Sequence, residues 1–164
     1  MNIKRKGPGQ AKQKNWKAIP WHVILLSAYP ILALLAHNAT EVAPTVAILP
    51  LAISVLSAGI LLLFLYILLR NWQRAALMTT ILLILFFSYG HIYSFLKGIQ
   101  ISGFFVFRHR SLAPIFLILA GLGIWWACRR KLIIQGITLM LNVTGIILII
   151  MPVIQISSII WRQR

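Results

Sequence analysis

The sequence predicts an all-α polytopic membrane protein, a bundle of about five transmembrane helices. The first observation is composition: 60% of the 164 residues are hydrophobic and only 10% are charged, with a mean hydropathy of +0.91. Soluble globular domains carry far more charge. The second observation is arrangement. The apolar residues form five long runs, and the basic residues lie in short groups between them, as in loops that flank membrane spans.

The apolar runs set the predicted boundaries. Residues 1–18 contain six Lys or Arg and are expected to form a disordered basic cytoplasmic tail, while residues 19–164 form the transmembrane domain. The predicted spans are 19–36, 45–69, 75–96, 112–128 and 132–151. The last run would measure ~45 Å as one straight helix, which exceeds a hydrocarbon core of ~30 Å. We therefore expect a kink at Pro152 and an extension to residue 161.

The basic residues also predict an orientation. With the N-terminus inside, eleven Lys or Arg lie on the inner side and five on the outer side. The positive-inside rule then places the N-terminus in the cytoplasm and the C-terminus outside a cell membrane that the chain crosses several times. The tail is expected to contact anionic lipid headgroups. Because the basic residues do not gather on one soluble face, a nucleic-acid partner is not expected.

The shortage of acidic residues argues against an enzyme. Glu41 is the only carboxylate side chain, and the sequence has no Asp. Mechanisms that use paired carboxylates, carboxylate-bound metal ions or an Asp-oriented triad lack their groups here. The four histidines and Cys128 have no metal-ligand spacing. We predict no catalytic, metal-binding or cofactor-binding residue.

A polar cluster is predicted at the outer face of the bundle. Ser88 and His91 lie three residues apart, and Tyr89, Tyr93 and Lys97 follow one another at intervals of four, so two adjacent polar strips run along the third span. One interpretation is a contact site for headgroups or a substrate; the other is an aromatic belt with interhelical hydrogen bonds. The candidate cluster comprises Glu41, Ser88, Tyr89, His91, Tyr93 and Lys97.

Glu41 lies in the outer turn between the first two spans. Its carboxylate is expected either to pair with His91 or Lys97 or to remain a solvated loop acid. Arg108 and Arg110 lie at the end of an apolar connector, residues 98–110, at the same face, and we predict that they contact phosphate headgroups. In the fifth span, Asn142 and Gln155 are expected to form interhelical hydrogen bonds rather than line a conduction path.

Four segments together resemble a known family. They are Tyr29-Pro30, the turn from His37-Asn38 to Pro44, the stretch Arg70-Asn71-Trp72-Gln73-Arg74-Ala75-Ala76-Leu77, and above all Leu85-Phe86-Phe87-Ser88-Tyr89-Gly90-His91-Ile92-Tyr93. From about Trp21 to Tyr93 the sequence resembles the N-terminal membrane region of sulfatase-like membrane proteins of the alkaline-phosphatase superfamily. These are similar in architecture to lipoteichoic acid synthases and phosphoethanolamine transferases.

The resemblance implies spans that precede an extracytoplasmic hydrolase or transferase domain with a Ser, Thr or Cys nucleophile and Asp/His metal ligands. Because this sequence has no Asp, none of those residues carries over. We expect a non-enzymatic membrane anchor or scaffold whose catalytic part is lost, split off or encoded separately. Its expected partners are the lipid bilayer and either a separate extracytoplasmic catalytic chain or a second copy. The alternative function is a small transport or permeation component.

Overall fold

A computed structural model describes residues 19–97, 100–101, 104–105, 109–129 and 134–162, with side chains at all of these except 100–101, 104–105, 128–129 and 134–135. The predicted tail and Arg108 lie outside these residues. Within them the chain forms five α-helices, which confirms the all-α fold class. The elements are α1 (His22–His37), a 3₁₀ turn (Pro44–Ala47), α2 (Ile48–Leu69), α3 (Trp72–Leu96), β1 (Gln100–Ile101), β2 (Phe104–Phe105), α4 (His109–Arg129) and α5 (Ile134–Arg162).

The helices make this a multi-pass membrane protein. Four of them, α2 to α5, are long and apolar enough to cross a membrane. The 16 residues of α1 are also apolar but rise only ~24 Å, less than the thickness of a typical hydrocarbon core. Large apolar side chains such as Leu56, Phe64 and Leu117 are exposed on the outside of the bundle, where they contact lipid in place of water.

Several helix boundaries differ from the sequence prediction for local reasons. The helix α3 begins at Trp72, three residues before the predicted start, because the Asn71 side chain accepts a hydrogen bond from the backbone N–H of Arg74 and caps the helix. Arg70 adopts a left-handed conformation, with φ of 50°, and ends α2. The helix α4 begins at His109, in the predicted connector. The helix α5 continues through Pro152 to Arg162.

Consecutive helices run antiparallel, which gives the bundle two ends. At the His22 end α1, α3 and α5 begin and α2 and α4 end; at the His37 end the directions are reversed. The helix α3 contacts all four others. It is the most buried of the four helices long enough to span a membrane: 39% of its apolar 18-residue segment lies inside the bundle, against 22% for α5 and 11% for α2 and α4. The largest contact between two helices joins α1 to α5, the two that lie furthest apart in sequence.

Small residues allow the helices to approach closely. The buried cluster at the His22 end includes Val23, Ala75 and Ala76. On α5, a Cβ atom built at Gly145 would lie 3.0 Å from Cβ of Leu25 on α1. On α4, a Cβ atom at Gly123 would lie 2.9 Å from Ile81 on α3. Membrane helices use such small residues because lipid supplies no hydrophobic force that would drive the helices together.

Candidate functional site

The two polar strips predicted on α3 face different neighbours. Tyr89 and Tyr93 face α4, where the Tyr89 hydroxyl forms a 2.8 Å hydrogen bond with Nδ1 of His109. The Tyr93 ring stacks on His109 with a centroid distance of 3.8 Å, and Tyr89 packs edge-on against Phe116. These contacts form the aromatic cluster, which holds the start of α4 against the end of α3. The predicted site omits His109, because the sequence analysis assigned this residue to the connector between the third and fourth spans.

Ser88 and His91 face away from that cluster into a groove between α1, α3 and α5. The groove has a volume of about 510 Å³, and its polar lining comes from Tyr29 on α1, Ser88 and His91 on α3, and Thr144 on α5. Nδ1 of His91 lies 3.1 Å from the Phe87 carbonyl oxygen, which only accepts, so this nitrogen carries the proton. The remaining nitrogen, Nε2, is available to a ligand.

The other predicted site residues are exposed and lie apart from the groove lining. Glu41 is exposed in the turn after α1, and no ion pair of its carboxylate is found among the described residues. Lys97 is the exposed cap residue that ends α3, and Arg110 is exposed in the first turn of α4. The structure therefore does not bring the six cluster residues together as one site. It divides them between the aromatic cluster, the groove and the surface of the His37 end.

A polar contact between α1 and α5 is formed by Asn142, whose partners the sequence does not identify. Oδ1 of Asn142 accepts the backbone N–H of His22 at 2.8 Å and lies 2.9 Å from His22 Nδ1, while Nδ2 of Asn142 donates to the Ile19 carbonyl at 2.9 Å. Because an amide oxygen only accepts, His22 Nδ1 is protonated. Asn142 thus satisfies the backbone N–H of His22, one of the first N–H groups of α1, which have no partner within the helix. The interhelical hydrogen bond predicted for Asn142 is confirmed.

A second amide holds the same pair of helices at the other end. Nε2 of Gln155 donates to the Ala36 carbonyl near the end of α1, at 3.1 Å. Both amides bind α1 backbone, and the two contacts have nearly the same sequence offset, so α1 and α5 run parallel along their shared length. His22 is 1% exposed, and its Nε2 has no hydrogen-bond partner within the described part of the chain. The sequence signals are Asn142 and Gln155 themselves, since isolated amides in an apolar span need partners.

The described residues contain no group of three His, Cys, Asp or Glu side chains that could hold a metal ion. Ser88 and His91 share the groove lining, but Nδ1 of His91 is engaged by the Phe87 carbonyl. No acid orients this imidazole, and an oriented base is what a serine nucleophile requires. The arrangement is chemically suited to binding through hydrogen bonds.

Comparisons with protein-family models, with curated proteins and with solved structures each found no match to the chain. The resemblance to sulfatase-like membrane proteins therefore remains a prediction from the segments between Trp21 and Tyr93.

Proposed function

We propose that the protein is a non-enzymatic membrane anchor or scaffold of the cell membrane, with its N-terminus in the cytoplasm and its C-terminus outside. The observation that carries the proposal is the open apolar surface of α2 and α4. Only 11% of the apolar 18-residue segment of each helix is buried within the chain. These two helices therefore offer faces to a second membrane protein while α1, α3 and α5 keep the bundle together.

Small residues on those open faces favour a partner over lipid alone. A Cβ atom added at Gly59 on α2 or at Gly121 on α4 would meet no other atom within 4 Å. Such positions permit another helix to approach closely, as small residues do at membrane helix interfaces. The partner proposed here is a second copy or, in line with the sulfatase-like resemblance, a separate chain with an extracytoplasmic catalytic domain.

The transport alternative is less favoured by the same contacts. It depends on a polar path along α5, for which Asn142 and Gln155 are the main candidates. Both amides donate to carbonyl oxygens of the α1 segment, at Ile19 and Ala36. These bonds use the groups that would have to face a moving solute.

The anchor proposal is tested by topology and by the mass of the native assembly. A reporter fused to the C-terminus should score extracytoplasmic. The chain extracted with its surrounding lipid should run as an assembly heavier than one 18.6 kDa copy, and Gly59→Leu should shift this assembly toward the single chain. A cytoplasmic reporter or a single chain in the wild-type sample would contradict the proposal.

A further inference from the structure

Polar side chains of α1, α3 and α5 are buried in the half of the bundle that contains His22. The side chains of His22, Thr79 and Thr80 are each at most 2% exposed, and Asn142 is 9% exposed. Asn142 binds His22, and the Thr79 hydroxyl donates to the Ala75 carbonyl. Nε2 of His22 and Oγ1 of Thr80 are different, because neither atom has a hydrogen-bond partner among the residues that the structure describes.

The groove between α1, α3 and α5 shows how His22 and Thr80 are placed relative to each other. Leu26 on α1 and Leu83 on α3 both line this groove. Leu83 also lines the groove on the other side of α1, so its face of α3 is turned toward α1. His22 precedes Leu26 by four residues and Thr80 precedes Leu83 by three, and α1 and α3 run in the same direction. Both residues therefore lie one helical turn closer to the His22 end, on facing sides of α1 and α3.

The two atoms without partners are chemically complementary to a small bridging molecule. Oδ1 of Asn142 engages Nδ1 of His22, which carries the proton, so Nε2 of the neutral ring is an acceptor. The Thr80 hydroxyl can donate or accept. A direct hydrogen bond would satisfy both atoms, but neither atom makes one. Because an unmade hydrogen bond in a buried site is costly, the pair favours a molecule that bonds to both atoms.

Water is the molecule that fits these two atoms best. It donates to an acceptor nitrogen and can donate to or accept from a hydroxyl, and buried waters typically make two to four such bonds. A metal ion fits less well, since His22 and Thr80 offer one nitrogen and one hydroxyl, without a carboxylate or thiolate. The described residues likewise contain no group of three His, Cys, Asp or Glu side chains that could hold a metal.

We propose that one water molecule is bound in the core of the bundle between His22 and Thr80. The water donates a hydrogen bond to Nε2 of His22 and forms a second one with Oγ1 of Thr80. Because Asn142 holds the other side of the same ring, the water extends the polar contact between α1 and α5 to α3. The site lies within a single chain and does not depend on whether α2 or α4 binds a partner.

Magnetisation transfer from water to the His22 ring tests the proposal. The full chain, with ¹⁵N in its histidine rings, is reconstituted in phosphatidylcholine vesicles and studied by solid-state NMR. The His22 signal is the one that disappears in His22→Gln. Since the side chain is only 1% exposed, a signal from water at its Nε2 indicates a bound molecule rather than bulk solvent. We expect this signal in the wild type, and Thr80→Val should reduce it at least about twofold by removing one partner of the water.

Matched variants separate the bound water from a general effect of core substitutions. Thr80→Ser keeps the hydroxyl and should keep the signal. Thr79→Val is the control, because it removes an equally buried hydroxyl whose partner is the Ala75 carbonyl. This variant should retain the signal as well. A wild type without the signal, an undiminished signal in Thr80→Val, or an equal loss in Thr79→Val would overturn the proposal.

The direction of the stability change in Thr80→Val is an independent test. The substitution replaces a hydroxyl by a methyl group of similar size. If Oγ1 had no partner, its removal would raise the unfolding midpoint in mixed micelles, because an unsatisfied buried group would be lost. If Oγ1 binds the water, its removal should lower this midpoint, and a raised midpoint would overturn the proposal. If Thr80→Val does not fold, the water signal of the wild type still decides.

Discussion

The α1–α5 pair and the α3–α4 pair are held together by different chemistry. Two amides, Asn142 and Gln155, bind backbone groups of the α1 segment near its two ends. In contrast, α3 and α4 are held at the His37 end by partly exposed aromatic rings around His109. Small residues at Gly145 and Gly123 bring both pairs close. The pairs therefore share their packing principle and differ in their polar contacts.

The difference follows from distance along the chain. Helices α3 and α4 are joined by a short connector, so the entropic cost of bringing them together is small. Helices α1 and α5 meet across about 120 residues, with three other helices between them in sequence. Apolar side chains alone cannot distinguish α5 from α2 or α4 as the neighbour of α1, because lipid is as apolar as they are. Directional hydrogen bonds from Asn142 select α5.

The largest expected effect comes from Asn142→Leu. The variant loses the contacts to His22 N, His22 Nδ1 and the Ile19 carbonyl, and it leaves buried polar groups unpaired. We expect the free energy of unfolding in mixed micelles to fall by about 2 kcal/mol, with individual membrane hydrogen bonds each worth about 0.6 kcal/mol. Gln155→Leu, which removes one contact, is the matched comparison. A loss no larger than that of Gln155→Leu would contradict the special role of Asn142.

A similar or slightly smaller effect is expected for Gly145→Leu. Its side chain would enter the space held by Leu25, whose Cβ atom lies 3.0 Å from an added Cβ. Overpacking of this kind costs about 1–3 kcal/mol, and here it separates α1 from α5. Gly90→Leu is the control, since nothing lies within 4 Å of its added Cβ. Equal unfolding free energies for the two variants would show that the close approach contributes nothing.

The smallest effect should be that of Tyr89→Phe. The change removes the hydroxyl bonded to His109 and keeps the ring against Phe116. We expect a loss of about 0.5–1 kcal/mol, because the bond lies at a partly exposed end. Hydrogen exchange of backbone amides in the first turn of α4 should accelerate, while that of α5 should not. Unchanged exchange at the start of α4 would mean that stacking by Tyr93 is sufficient to hold His109.

Of the candidate site, the sequence predicted the polar residues of α3 but not their grouping. The intervals of three and four correctly indicated two strips, since they follow from helix geometry. The two strips have different neighbours, because α4 covers one of them and the α1–α5 pair faces the other. The sequence of α3 alone does not identify either neighbour. Tyr29 and Thr144 enter the groove from helices more than 100 residues apart, so no local spacing could have placed them with His91.

The sequence by itself determined the all-α class, the number of helices and the approximate limits of most of them. Run length and the scarcity of charge act through the bilayer, so both can be recognised from the sequence alone. The Asn71 cap, which starts α3 three residues before the predicted boundary, was recognised only in the structure. The tertiary structure decided which helices pair and which polar groups are satisfied. The sequence indicates that Asn142 needs a partner on another helix, and only the packing of α1 against α5 identifies that partner as His22. Because lipid is as apolar as the helix surfaces, apolar contacts alone do not determine which helices pair. The pairing therefore depends on a few hydrogen bonds and on glycines that allow close packing.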